Sequence, residues 1–159
     1  MKTFLVPIDF SAVSGEIIAT AISLARPLKG KVVLLHVVQP PTVTGEYALP
    51  VAAVQETIEA RENAAAARLA VFAEKFRAAS LAAEPLVRQG PPVSTILAEA
   101  DQVHADFIIM GSHGHGRLYD LLVGSTAAAS SRKPGAASSS CRRQRKPPEP
   151  EIMQLNGHF

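Results

Sequence analysis

The 159-residue chain holds a single cysteine, Cys141, so no intrachain disulfide can form. A fold stapled by cross-links is thereby excluded, and a reducing compartment becomes the default. Long apolar runs are missing too. Stretches such as Phe107 to Met110 and Val32 to Leu35 fall far short of the roughly 20 residues that a membrane helix requires, so no membrane partner is expected. No charged-then-apolar leader with a small-residue cleavage site is recognisable, and a cytoplasmic setting is the expectation. Charge of one sign is nearly balanced over the whole chain, at a formal +2, but not over its parts. Residues 1–127 carry 10 Lys+Arg against 12 Asp+Glu, whereas residues 128–159 carry 6 against 2. That basic tail lacks the interleaved aromatics of a nucleic-acid surface and is rich in serine and proline; nucleic acid is not an expected partner. What is present suffices for a core: 47% of residues are hydrophobic and 19% charged, in a length suited to one domain. A domain over residues 1–129 followed by a disordered basic tail over residues 130–159 is expected, with Cys141 exposed in that tail and able to cross-link chains on oxidation.

Apolar runs alternate with amphipathic stretches. Phe4 to Ile8 reads as a buried strand that ends in Asp9-Phe10-Ser11, where a hydroxyl can cap the next helix. Ile17, Ala21, Leu24, Ala25 and Leu28 then recur at helical spacing, and Gly30 stands at the expected helix C-terminus. Val32 to Val38 is apolar on both faces, as strands of a covered parallel sheet are. After a proline-bearing loop, Ile58, Ala65, Leu69, Phe72 and Phe76 mark the face of a long helix. A weaker strand at Pro85 to Gln89, a helix opened by Pro91-Pro92, and a fourth strand from Asp106 to Met110 complete the series. This order predicts an α/β fold, an open, doubly wound, Rossmann-like parallel sheet. Ligands of such sheets sit beyond the carboxyl ends of the strands, where strand order reverses. That rule points to Asp9-Phe10-Ser11, Val37-Val38 and the residues from Gly111 onward.

The fourth strand runs into Gly111-Ser112-His113-Gly114-His115-Gly116-Arg117, and Gly124-Ser125-Thr126 follows. Ser125 and Thr126 head an alanine-rich stretch, so their amides and hydroxyls suit a helix N-terminus, which favours an anion such as phosphate. Gly111 and Gly116 have P-loop spacing, but Arg117-Leu118 stand where Lys-Ser/Thr is required. The third glycine of a dinucleotide fingerprint is absent as well, which disfavours NAD. His36 reads as a packed strand residue, and His113 and His115 as loop residues that touch phosphate, bind metal or face solvent. Asp9 has two readings, a helix cap or a ligand contact.

Gly111, Gly114, Gly124 and Ser125 fit the pattern G-x2-G-x9-G-(S/T), and the segment resembles the nucleotide-binding subgroup of the universal stress protein family. Leu5-Val6-Pro7-Ile8-Asp9-Phe10-Ser11 is similar to that family's first strand, and Leu34-Leu35-His36-Val37 to its second. The resemblance covers about residues 3 to 128. It implies an adenine nucleotide, ATP or AMP, bound by a sensor or adaptor in stress response; a slow ATPase, or a protein acting through contacts alone, are the alternatives. By the same resemblance Pro7 would belong to the nucleotide site, Asp9 would meet the ribose or a nucleotide-bound Mg, and Val37 would present backbone groups to the adenine edge. Met110 and Gly111 would lie against the nucleoside, while Gly114, Gly124, Ser125 and Thr126 would cradle the phosphates.

Family members continue into a last apolar strand, through which they form homodimers. Here Ala129 is followed by Ser130-Ser131-Arg132-Lys133-Pro134-Gly135, a serine run and a basic, proline-rich stretch. The expectation is therefore a sheet of order 3-2-1-4 that lacks the usual fifth strand, and a weakened dimer.

Overall fold

A computed structural model of the chain describes residues 1–40, 51–111 and 150–155. Eight elements follow one another: β1 Thr3–Pro7, α1 Ser14–Ala25, β2 Lys31–Val38, α2 Val51–Ala78, β3 Ala83–Gln89, α3 Pro92–Gln102, β4 Phe107–Gly111 and β5 Glu151–Leu155. The five strands form one sheet of order β3-β2-β1-β4-β5, and every neighbouring pair is parallel. The predicted open α/β sheet with order 3-2-1-4 is what forms.

The missing fifth strand is a correction. Glu151 to Leu155 pairs with β4 in the register Phe107↔Glu151 to Gly111↔Leu155, and the Glu151 amide donates to the Asp106 carbonyl at 2.9 Å. A continuous apolar run is needed only by a strand covered on both faces. β5 is outermost among the described strands, and Ile152 packs on the α3 side of the core while Met153 stays exposed. Pro147, Pro148 and Pro150 precede the ladder and remove no donor from it.

Strand alternation sorts the core into two layers. Phe4, Val6, Ile8, Val32, Leu34 and Ile109 face α1 and α2, meeting Ile17, Ile18, Ala21, Leu69 and Phe76. Leu5, Val33, Leu35, Ile108 and Met110 face α3, meeting Ile96 and Ala100. Each fully buried Leu, Ile or Phe contributes about 1.5–3 kcal/mol, so these layers outweigh the exposed ion pairs, worth about 0–1 kcal/mol each.

Two local devices set the sheet's depth and alignment. At the amino ends of the central strands, Asp106 accepts from the Lys2 ammonium at 2.6 Å and from the Thr3 amide at 2.8 Å, which clamps β1 beside β4. Between α1 and β2 the left-handed position is taken by Lys29, at φ 46°. Gly30 serves close approach instead: a Cβ there would come within 2.5 Å of Phe4 Cε2 and 3.0 Å of the Lys2 carbonyl. Phe4 is buried and stacked on Phe107 at 5.0 Å, so it has little room to yield. Gly30→Ala is expected to lower unfolding stability by about 1–3 kcal/mol, the usual cost of overpacking, as read by urea denaturation. An unchanged midpoint contradicts this account of the α1–β2 turn.

Candidate functional site

The chain leaves β1 for α1 on one side and returns from α3 to β4 on the other, so strand order reverses between β1 and β4. Their carboxyl ends bound a crevice, the place where ligands of this architecture bind. Register brings the expected residues to it. Pro7 pairs with Leu35 and Leu5 with Ile108. Asp9 and Val37 each lie two residues beyond the first of these pairs, and Gly111 three beyond the second, at the carboxyl ends of β1, β2 and β4. Pro7, Asp9, Val37, Met110 and Gly111 therefore share one end of the sheet. Gly114, Gly124, Ser125 and Thr126, together with His113, His115 and Cys141, lie outside the described residues.

Asp9 follows the last ladder bond of β1, in which the Ile8 amide donates to the Leu35 carbonyl at 2.8 Å. Its Oδ1 accepts from the Ser11 amide at 2.9 Å and more loosely from the Ser14 hydroxyl at 3.4 Å. Among the described residues Oδ2 accepts from no donor in hydrogen-bonding geometry. Partial burial raises the carboxyl's pKa, but the neighbouring Ser11 hydroxyl, the amides and Ser14 together overcome it and hold the group below its ordinary value. The result is an ionised carboxylate with one oxygen engaged by the turn and one bonded to no described donor.

The helix-capping reading of Ser11 is corrected. α1 opens at Ser14 with Val13 at the capping position, and no side chain there bonds a helix amide. The Ser11 hydroxyl is buried beside Asp9 but lies outside hydrogen-bonding geometry to any described partner. Sequence reasoning missed Ser14, 2% exposed, whose hydroxyl steadies Asp9; an aspartate followed at two and five residues by serine was the available signal. It also missed how the turn is held. Phe10 sits in the left-handed region at φ 61°, its ring 4.5 Å from the His36 ring. His36 Nδ1–H donates to the Ile8 carbonyl at 2.7 Å. His36 thus ties β2 to the chain just before Asp9.

Val37 points to the α3 side and packs on that layer, as does buried Met110. Gly111 has a packing reason as well as a site reason, since a Cβ there would come within 2.9 Å of Ile17 Cδ1. Among the described residues no three His, Cys, Asp or Glu side chains converge on a metal position, and no helix is long and apolar enough to cross a membrane.

Sheet order and crevice define an α/β protein whose parallel sheet reverses its strand order between β1 and β4. The family model "Universal stress protein family" matches residues 1–133, and the chain belongs to that family. No curated protein matches it. Among solved structures it is similar to universal stress protein UspA from Lactobacillus plantarum, at 18% identity and TM-score 0.66, covering 98% of this chain and 97% of that one. A universal stress protein family protein from Arabidopsis thaliana with AMP bound is similar at 18% identity and TM-score 0.59, over 98% and 90% of the two chains. The universal stress protein from Archaeoglobus fulgidus in complex with dAMP is 20% identical, at TM-score 0.57 over 84% and 94%.

The depressed Asp9 carboxyl has a sign that can be checked. Its folded pKa lies below the unfolded one, so its contribution is present above the ordinary carboxylate range, about pH 3.9, and is lost as pH falls through the lower folded value. Asp9→Asn should therefore be less stable than the parent at pH 7, with the gap shrinking towards pH 3 in urea melts. A gap that is equal at both pH values removes the carboxylate from the turn's support.

Proposed function

We propose that this chain binds an adenine nucleotide, ATP or AMP, across the carboxyl ends of β1, β2 and β4, and acts as a nucleotide-dependent sensor or adaptor in stress response. The observation that carries the reading is the ionised Asp9 carboxylate at the point of strand reversal, with Oδ2 bonded to no described donor and Val37 at the same end of the sheet. Similar proteins whose structures contain AMP, dAMP and cAMP support it. Ribose needs an acceptor, which Asp9 supplies. Adenine needs main-chain donors and acceptors at a strand end, which the residues around Val37 supply once β2 has passed the end of β1. Met110 and Gly111 would form the wall against the nucleoside, and Pro7 the floor. Phosphates would fall to Gly114, Gly124, Ser125 and Thr126, through amide donors of the kind that helix N-termini present.

A Mg ion fits this arrangement only as a passenger on the phosphates, because Asp9 offers one oxygen bonded to no described donor and the described residues hold no three-ligand cluster. There it would neutralise phosphate charge, with Asp9 accepting from one of its waters. A cytoplasmic location and a homodimer belong to the same proposal; β5, with no outer neighbour among the described strands, would be the dimer edge.

Calorimetric titration with ATP, AMP and cyclic AMP, with and without Mg, should show one site per chain. Asp9→Ala should weaken it by about 1.5–3 kcal/mol, the range for a hydrogen bond to a charged group. Absence of binding by all three nucleotides, or an affinity that Asp9→Ala leaves intact, contradicts the proposal.

A further inference from the structure

A second cavity lies on the other face of the sheet. It has a volume of about 360 Å³ and is lined by Phe10, His36, Val38 and Gln39 from the strand ends and by Arg61 and Arg68, with Ala64 and Ala65, from α2. Val37 also borders it, but its side chain packs on the α3 side, whereas Phe10 packs on the layer formed with α1 and α2. The volume falls in the usual range of small-molecule sites, roughly 300–1,000 Å³.

Charge distinguishes this cavity. Arg61 and Arg68 are seven residues apart, on nearly the same side of α2 and about 10 Å apart along its axis. Neither has a carboxylate three or four residues away: those positions hold Thr57, Ile58, Ala64, Ala65, Val71 and Phe72. Arg77 on the same helix, by contrast, pairs with Glu74, and the nearby Glu62 is taken by Gln89 at 2.8 Å. Among the described residues neither Arg61 nor Arg68 makes an ion pair. Two guanidinium groups at one cavity thus have no carboxylate partner among the described residues, in a body whose Asp+Glu outnumber its Lys+Arg.

One of these cations is held in place by an aromatic ring. The Arg68 guanidinium lies over the Phe10 ring at 4.0 Å. The ring offers a cation–π contact that uses none of the guanidinium N–H donors in a hydrogen bond, and a guanidinium can grip a carboxylate or phosphate with two bonds. Between the arginines Ala64 and Ala65 keep the floor low. His36 spends Nδ1–H on the Ile8 carbonyl, so its Nε2 is an acceptor for a hydroxyl, and Gln39 adds an amide.

We propose that this cavity is a second ligand site, separate from the nucleotide crevice, for a small hydroxylated dianion with a carboxylate or phosphate at each end. Arg61 and Arg68 hold the two ends, and His36 accepts from the hydroxyl between them. The site rests on cavity shape and charge alone and stands apart from the nucleotide reading.

The test is calorimetric titration of the full chain with malate, 3-phosphoglycerate, inorganic phosphate and glycerol. Malate or 3-phosphoglycerate should bind, which of the two fixing whether the ends are carboxylates or include a phosphate. Inorganic phosphate should bind at least tenfold more weakly, and glycerol should give no signal. Arg61→Gln and Arg68→Gln should each weaken the dianion at least tenfold. Ala64→Leu, which fills the floor and keeps both charges, should do the same. All three changes fall on the outer surface of a helix, and thermal melts confirm that the fold is kept. The arginine variants should leave nucleotide affinity unchanged, and AMP and the dianion should bind to the same chain together. The proposal is overturned if neither dianion binds, if binding survives both arginine variants or Ala64→Leu, or if AMP displaces the dianion.

Discussion

β1 is the constraint from which the rest of the architecture follows. It is paired on both edges, with β2 and with β4, and Phe4, Leu5 and Val6 are buried on both faces. A strand so placed cannot tolerate a polar side chain, and its chain must leave abruptly where the ladder ends. The first polar side chain after it, Asp9, therefore stands at the carboxyl edge of the sheet, at the point where strand order reverses. Burial of β1 thus fixes the position of a charge. The Asp106 clamp at the opposite end and the His36 bond to Ile8 hold the strand at its two extremities.

Much of this was legible because parallel strands carry a strong signal. A strand covered on both faces has to be apolar at nearly every position, and Phe4 to Ile8, Val32 to Val38 and Phe107 to Met110 stand out for that reason. Asp9, Val37, Met110 and Gly111 came to the same edge as the strand ends required. β5 was not legible, because an outer strand needs few inward apolar residues, and Ile152, Met153 and Leu155, broken by Gln154 and preceded by three prolines, make too short a run to detect. Gly30 was legible as a glycine but not in its purpose. Helix ends favour glycine for its left-handed conformation, yet Lys29 takes that conformation and Gly30 makes room for the ring of Phe4. That requirement comes from packing between elements, which local pattern does not encode. Ser14 was passed over for a similar reason: its hydroxyl matters only because the turn from Asp9 folds back on it.

The two faces of the sheet divide the chemistry. On the α3 side, Val37 and Met110 line an edge suited to a nucleoside. Across the sheet, Arg61 and Arg68 of α2 face Phe10 and His36. Phe10 and Asp9 are adjacent in sequence, and the left-handed backbone at Phe10 sends its ring towards α2. Phe10 thus joins the turn that carries Asp9 to the α2 layer.

The placement of the ligand at the carboxyl edge is tested most directly by residue-resolved NMR during a titration with AMP. The largest amide shifts should fall on Asp9, Ser11, Val37, Val38 and Gly111, while Lys2, Thr3 and Asp106, at the opposite edge, should stay in place. Shifts concentrated at the opposite edge, or none on Asp9 and Val37 at saturating AMP, contradict a site built on the end of β1.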